Sequence, residues 1–297
     1  MQGKYSLTAS FVICTFVYLI ACTVAGAFLF FYTGNLSPLW LALIADVIAT
    51  VVVYASSLIF KNSSLYDPYW SVIPPFIAWY WFSVNQTAGT ISLALMVSIS
   101  VWAIRLTLNW ARGWHGLVHE DWRYVMLRNK NPKLYWLTNF GGIHMFPTLM
   151  VFAGMVPVYY ASTLATQLKC YTYSPVVLGL GVAIALVATI IELLADEQMR
   201  SFKKRAKPGE FINEGIWRYS RHPNYFGEIL FWFGLWVIQL SLRPHIWFTA
   251  FGWVAMLVMF LFASIPMMEV KNLKSKPGYA EYVKQVSVLI PWFRKGS

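Results

Sequence analysis

The sequence predicts an all-α fold, a polytopic bundle of about seven or eight transmembrane helices. Hydrophobic residues make up 58% of the 297 residues and charged residues only 12%, whereas soluble domains carry about 25% charged residues. Apolar stretches recur along the chain at lengths close to the roughly 20 residues that a helix needs to cross a bilayer. These observations exclude a soluble domain and predict a bundle surrounded by lipid.

Eight apolar stretches predict the spans in order. They cover residues 11–32, 39–60, 69–84, 91–112, 143–165, 175–197, 225–241 and 246–267. The first is too long for a signal-peptide core and is read as a retained span. The third contains Pro74 and Pro75, which predict a kinked or partly inserted helix. The whole chain, 1–297, is treated as one transmembrane domain. Residues 1–65 carry no motif, and every motif of the chain lies within residues 66–297.

The basic residues support this layout. With eight crossings, all of the 23 lysines and arginines except Lys169 and Arg243 fall on one side of the membrane. Cytosolic segments are enriched in lysine and arginine, so both termini are expected in the cytosol. The same rule holds for the endoplasmic reticulum and for a bacterial inner membrane. The basic face suits anionic lipids or a phosphorylated ligand. Nucleic acid is not expected as a partner, because the charges sit at membrane helix ends.

Polar side chains recur at helical spacing in three of the predicted spans. The sets are Arg105, Asn109 and Arg112 in the fourth span, Glu192, Asp196 and Arg200 in the sixth, and Asn224, Glu228 and Trp232 in the seventh. Residues four apart share one helix face, and ionisable groups within a membrane usually mark function. Two explanations remain open, a polar ligand cavity or ion pairs between helices such as Arg105 with Glu192. The three sets together favour the ligand cavity.

The densest polar segment runs from Gly215 to Glu228. Pro223 suits the first turn of a helix, so a helix should begin at about Pro223 or Asn224. The free N–H groups of that turn, with Arg218, Arg221 and His222 just before it, predict an anion-binding site. An interfacial turn anchored by Arg and Tyr side chains is the plainer alternative.

No metal site is predicted. His115 and His119 are four residues apart, but membrane di-iron enzymes use several histidine-rich boxes and this chain has one pair. A solvated loop pair is the preferred interpretation. The three cysteines form no Cys-x-x-Cys pair, so a zinc ribbon and a thioredoxin-like redox motif are both unsupported.

A family resemblance rests on Ser220-Arg-His-Pro-Asn-Tyr-Phe-Gly-Glu228 with Glu192-x-x-x-Asp196 upstream. The chain resembles the steroid 5-alpha-reductase-like membrane proteins, especially a broad branch whose members mostly lack an assigned substrate. The resemblance also includes Asp67-Pro-Tyr-Trp70, Arg105-Leu-x-x-Asn109, Glu120-Asp-Trp-Arg-Tyr124 and Pro266-x-x-Glu269. It implies a bundle open to the cytosol that binds NADPH and reduces a carbon–carbon double bond in a sterol-like or other lipid enone.

The resemblance and the side-chain chemistry together give a predicted site. The predicted cofactor-binding residues are Arg105, Asn109, Glu192, Asp196, Lys203, Arg218, Tyr219, Arg221, His222, Asn224, Tyr225, Glu228 and Trp232. The basic face favours NADPH over NADH. Asp67 stands where the family has a catalytic Glu, and Trp102 stands where it has a Tyr. Tyr69 or Tyr66 is expected to replace that hydroxyl, so Asp67 and Tyr69 are the predicted catalytic residues.

Two other functions remain possible. Membrane isoprenylcysteine and phospholipid methyltransferases carry a similar segment, which Arg221, His222, Pro223 and Tyr225 match equally well, and which implies S-adenosylmethionine. Asp196, Asn224 and the Gly227-Glu228 pair favour the reductases. A non-catalytic protein that binds sterols or other lipids is the third possibility, because Trp102 cannot supply an acidic hydroxyl.

Overall fold

The computed structural model describes residues 5–167 and 173–295, with the backbone alone for residues 164–167. Within these ranges every extended regular element is a helix, and the one β-bridge joins Ser220 to Ser287. The all-α prediction is therefore confirmed. Lys169 and Cys170 lie outside the described residues. The chain divides into two compact units, residues 1–167 and 168–297.

Within the described residues, the first unit contains seven α-helices and the second unit contains five. Those of the first unit are α1 (Leu7–Phe31), α2 (Pro38–Phe60), α3 (Tyr69–Val84), α4 (Thr90–Gly113), α5 (Trp122–Lys130), α6 (Tyr135–Thr138) and α7 (Phe146–Gln167). Short 3₁₀ segments, Ser63–Tyr66 and Pro132–Leu134, precede α3 and α6, and a π-helix, Asn139–Met145, joins α6 to α7.

The second unit contains five further α-helices. They are α8 (Pro175–Arg205), α9 (Pro223–Leu240), α10 (Phe251–Met259), α11 (Ile265–Ser275) and α12 (Tyr279–Gln285). A 3₁₀ turn, Gly215–Arg218, precedes α9, and another, Pro244–Ala250, precedes α10. A π-helix, Phe260–Ser264, joins α10 to α11.

The helices account for the predicted spans. Among the residues that the structure describes, six helical stretches are long and apolar enough to cross a membrane, namely Leu7–Phe31, Pro38–Phe60, Thr90–Gly113, Pro132–Thr163, Pro175–Arg205 and Pro244–Ser275. This finding confirms an integral membrane protein. The other two predicted spans coincide with α3, of 16 residues, and α9, of 18 residues. At 1.5 Å per residue these two helices are about 24 and 27 Å long, shorter than most single spans.

Glycines bring α8 and α9 close together. A Cβ atom added at Gly181 would lie 2.6 Å from the Ile238 backbone nitrogen, and one added at Gly234 would lie 2.8 Å from the Ala185 nitrogen. Backbones can approach this closely only where a side chain is absent. The α8–α9 pair is therefore tightly packed, and it carries Glu192, Asp196, Asn224 and Glu228.

Candidate functional site

Asp67 forms a short hydrogen bond with Tyr124. The Tyr124 hydroxyl donates to Asp67 Oδ1 at 2.6 Å. Asp67 follows the 3₁₀ turn after α2, Tyr124 lies on α5, and both residues are partly exposed. Burial among neighbouring side chains raises the pKa of Asp67 to about 7, against the opposing effects of the Tyr124 hydroxyl and the Arg123 charge. Burial also raises the pKa of Tyr124 well above its usual value, and the charge of Asp67 adds to that effect.

Two contacts hold α5 against the segment that carries Asp67. Glu120 Oε1 accepts from the Ser63 backbone N–H at 2.9 Å and from Arg128 Nη2 at 2.7 Å. The Asp121 N–H donates to Ser64 Oγ at 2.9 Å. The motif Glu120-Asp-Trp-Arg-Tyr124 thus fixes the start of α5 so that Tyr124 reaches Asp67.

The hydroxyls of Tyr69 and Tyr66 have other partners. Tyr69 is 1% exposed, and its hydroxyl donates to Asp46 Oδ1 at 2.8 Å. Tyr66 is 2% exposed, and its hydroxyl pairs with that of Thr148 at 2.8 Å. The structure therefore brings Tyr124, and neither of the two expected tyrosines, to Asp67.

The α4 residues occupy a buried face of the first unit. Arg105 is buried, and Asn109, one turn later, is half-buried. Trp102 is fully buried, with its ring edge-on to that of Trp70 at 6.1 Å between centroids. Trp102 therefore fills the position that the resemblance gives to a Tyr.

The three acidic residues predicted in the second unit lie along α8 and α9. Glu192 is buried and Asp196 is half-buried. The backbone of Gly227 packs directly against the Glu192 side chain, since a Cβ atom added at Gly227 would lie 2.5 Å from Glu192 Cγ. On α9, the Trp232 indole N–H donates to Glu228 Oε1 at 2.7 Å, and both side chains are buried.

Glu269 on α11 is the centre of a polar cluster. Its Oε1 lies 3.0 Å from Arg221 Nε, 2.8 Å from His222 Nε2 and 3.0 Å from the Tyr279 hydroxyl. A carboxylate accepts hydrogen bonds, so His222 Nε2 carries a hydrogen. The His222 ring also stacks on Tyr225, with centroids 5.3 Å apart.

Arg221 is further tied to the carboxyl-terminal region. Its Nη1 donates to the Val283 carbonyl at 2.8 Å and to the Val286 carbonyl at 2.6 Å, and its backbone N–H donates to the Ser287 carbonyl at 2.9 Å. Two of the five guanidinium N–H groups therefore hold the end of α12. The backbone N–H holds the segment after α12, residues 286–295, which we call the carboxyl-terminal strap. α9 begins at Pro223, as predicted, with His222 as its N-cap residue.

Three lysines lie close together in the same unit. Lys203 is at the exposed end of α8, Lys271 is on α11, and Lys276 follows α11. Burial, and then repulsion from Lys271 and Lys203, lowers the pKa of Lys276. A group of like charges that destabilise one another attracts a multivalent anion.

The remaining predicted residues lie around the start of α9. Arg218 and Tyr219 are exposed, and Asn224 and Tyr225 are half-buried. His115 and His119 are exposed, with rings 5.9 Å apart, in the loop after α4. Within the described ranges, no group of three or more His, Cys, Asp or Glu residues is arranged to hold a metal ion.

The residues of these clusters that were not predicted as site residues are Tyr124, Glu269, Tyr279, Lys271 and Lys276. Tyr124 and Glu269 belong to quoted motifs, but sequence spacing gives no sign that they meet Asp67 and Arg221. Lys276 is one of many basic residues near the carboxyl terminus. One signal in the sequence could have been used. Asp46 is a single acidic residue within an apolar stretch, and such a residue predicts a buried polar partner, which here is the Tyr69 hydroxyl.

Fold and site together define an integral membrane protein with an acid pair in one unit and basic and acidic clusters in the other. The chain belongs to the family described as "Protein of unknown function (DUF1295)", whose model matches residues 53–286. It is also 24% identical over 287 residues to an uncharacterized protein of Schizosaccharomyces pombe, covering 88% of this chain and 81% of that protein. No solved structure matches the chain.

Proposed function

We propose that this protein is an NADPH-dependent membrane reductase of a carbon–carbon double bond in a sterol-like or other lipid enone. The observation that carries the proposal is the 2.6 Å bond between Tyr124 and Asp67. Reduction of an enone is favoured when an acid polarises the carbonyl oxygen. A carboxyl with a pKa of about 7 can hold a proton for this purpose near neutral pH.

The proposed reduction uses a rearranged acid pair in the first unit. The resemblance implies a Glu–Tyr pair, and here Asp67 pairs with Tyr124 from α5 while Trp102 is packed inside the unit. The protonated Asp67 carboxyl donates to the substrate carbonyl, and the Tyr124 hydroxyl orients that carboxyl. The proton stays with these two groups until charge develops on the carbonyl oxygen.

The second unit supplies residues that fit a phosphorylated nucleotide. Lys203, Lys271 and Lys276 form a multivalent cationic group, and the 2′-phosphate of NADPH provides a matching charge. Glu228, held by Trp232, and the half-buried Asp196 can accept from hydroxyl or amide groups. NADPH, when bound, supplies the hydride. The chain's residues bind and orient the nucleotide.

Arg221 and His222 have a different proposed role from the one that the sequence suggested. Their contacts with Glu269 and with two backbone carbonyls hold the start of α9 and the carboxyl-terminal strap. We propose that they shape the nucleotide site, whereas the lysines meet the phosphates. Both termini and the three lysines are proposed to face the cytosol, in the endoplasmic reticulum or a bacterial inner membrane.

Calorimetric titration of the detergent-purified protein with NADPH, NADH and S-adenosylmethionine tests the proposal. NADPH should bind, and Lys203→Ala/Lys276→Ala should weaken NADPH about tenfold, equivalent to about 1.4 kcal/mol, with a smaller effect on NADH. Lys284→Ala, at an exposed lysine of the same unit, is the control.

Binding of S-adenosylmethionine alone would favour the membrane methyltransferase that Arg221, His222 and Tyr225 also match. Binding of none of the three would favour a non-catalytic lipid-binding protein. Equal weakening of NADPH and NADH by the double variant would assign the lysines to the pyrophosphate rather than the 2′-phosphate.

A further inference from the structure

The segment between α4 and the next span contains apolar residues that the protein does not cover. It comprises α5, the 3₁₀ turn and α6, from Trp122 to Thr138, and none of its residues is buried. Leu134, Trp136 and Leu137 are 50%, 58% and 51% exposed. Large apolar side chains grouped on a surface usually mark a contact with a partner or a membrane.

Helix α5 is amphipathic. The backbone N–H of Asp121, at the N-cap, donates to Ser64 Oγ, and the side chains of Tyr124 and Arg128 point towards the rest of the unit, where they donate to Asp67 and Glu120. Trp122, Val125, Met126 and Asn129, at i, i+3, i+4 and i+7, share the other side, and the last three are exposed. One side of α5 is thus fixed by hydrogen bonds, and the other presents apolar side chains outwards.

The location of this segment identifies what covers it. α4 crosses the membrane and ends at Gly113, and the next candidate span is Pro132–Thr163. Its 32 residues exceed the roughly 20 that a crossing needs, so its first turns can lie outside the hydrocarbon core. The segment between them therefore lies on the side of the membrane where both spans emerge. At nine residues, α5 is only about 14 Å long and cannot cross a bilayer itself.

The exposed lysines of the segment indicate which lipid headgroups it contacts. Lys130 and Lys133 are exposed, and within the described ranges neither forms an ion pair. Arg128, in contrast, is paired with Glu120 at 2.7 Å. Lysines beside an exposed apolar face are typical of helices that lie in the membrane interface and contact anionic headgroups.

We infer that residues Trp122–Thr138 lie in the plane of the membrane interface and bind anionic phospholipid headgroups through Lys130 and Lys133. The apolar side of α5 is inserted among the first acyl carbons. Because the opposite side of α5 carries Tyr124, the lipid surface adjoins the helix that completes the Asp67–Tyr124 pair. The inference does not depend on the proposed reduction, and its test measures no activity.

Photo-labelling of the full-length protein in nanodiscs tests the insertion. Trypsin cuts after Arg123 and Arg128, so the peptide Tyr124–Arg128 reports on Val125 and Met126. A phospholipid with a photoactivatable group near the start of its acyl chain should label this peptide, and Met126→Asp should reduce the label at least severalfold. Labelling confined to peptides of the spans would overturn the insertion.

Native mass spectrometry from nanodiscs of mixed phosphatidylglycerol and phosphatidylcholine tests the headgroup choice. Retained phosphatidylglycerol should exceed its share in the bilayer, and Lys130→Glu/Lys133→Glu should remove that excess. Lys274→Glu/Lys284→Glu makes the same change in net charge at exposed lysines of the second unit and should preserve the excess. An equal loss in both double variants would show general charge attraction and would contradict a site at this segment.

Discussion

At the scale of single residues, the main finding is that a hydroxyl expected from one part of the chain comes from another. The segment Tyr66–Tyr69 contains two tyrosines beside Asp67, and the partner is Tyr124 on α5. The hydroxyls of the two neighbouring tyrosines do not reach Asp67, because the Tyr66 hydroxyl bonds Thr148 and the Tyr69 hydroxyl bonds Asp46. The acid pair therefore depends on tertiary contacts between the start of α5 and the turn after α2.

Asp67→Asn should remove turnover of an enone lipid and leave NADPH affinity nearly unchanged. An amide holds no acidic proton, and loss of a general acid typically costs about 100-fold or more in rate. Steady-state turnover and calorimetric binding on the same preparation provide the two readouts. Equal loss of turnover and of NADPH affinity would assign Asp67 a structural role.

Turnover should fall as the pH rises through about 7, because Asp67 loses its proton there. The Tyr124 hydroxyl lowers the pKa of Asp67, so Tyr124→Phe should raise that pKa and move the alkaline limb of the residual activity to higher pH. The kcat profile against pH is the measurement. An unchanged limb in the variant would separate Tyr124 from the titrating group.

Arg221→Ala should destabilise the protein. It removes three hydrogen bonds and leaves Glu269 without its arginine partner, a loss of about 2–4 kcal/mol. The thermal midpoint in detergent measures the effect, with Arg218→Ala, at an exposed neighbour, as the control. Loss of NADPH binding with an unchanged midpoint would return Arg221 to the phosphate-binding role that its motif suggested.

At the scale of elements, the positions of most helices can be predicted from the sequence, whereas the helices that they pack against cannot. The apolar stretches predicted the ends of most helices within a few residues, because the length of a span is set by the bilayer. The last predicted span, 246–267, is divided among α10, a π-helix and α11, and its helical stretch continues to Ser275. The helix α8 likewise continues past residue 197 to Arg205. Its last turns carry Lys203, Lys204 and Arg205, which favour a helical carboxyl terminus but fall outside any hydropathy signal.

Gly181→Ala should lower the thermal midpoint more than Gly179→Ala. Both glycines lie on α8, but a Cβ at Gly181 meets Ile238 on α9, whereas one at Gly179 has nothing within 4 Å. Overpacking of this kind costs about 1–3 kcal/mol. Thermal unfolding of the two variants side by side provides the comparison. Equal midpoints would mean that α8 and α9 separate easily.

At the scale of the whole molecule, composition and charge were sufficient to predict an integral membrane protein. The residue clusters of the candidate site could be identified only from the three-dimensional structure. The helix starting at Pro223 was predictable because proline favours the first turn. The Glu269 cluster was not, because Glu269 lies 48 residues from Arg221 along the chain and no periodic pattern links them. Long-range polar pairing leaves no trace in hydropathy or spacing.

Both termini should be cytosolic. With α3 and α9 crossing as well, nearly all basic residues share one side. Single cysteines introduced at positions 207 and 245, in a background without the native cysteines, should differ in reactivity towards an impermeant maleimide in sealed inverted vesicles. Position 207 should react and position 245 should not. Equal labelling of both would require a different number of crossings.

The hydrogen bonds between the turn before α9 and the carboxyl-terminal strap have a consequence for biosynthesis. Ser220 bonds the Leu289 carbonyl, the Tyr219 carbonyl accepts from Trp292, and Arg221 bonds Val283 and Val286. The turn before α9 thus depends on residues translated about 70 positions later. During synthesis, α8 and α9 can enter the membrane while this turn still lacks its partners. The second unit can therefore mature only after translation has passed the strap.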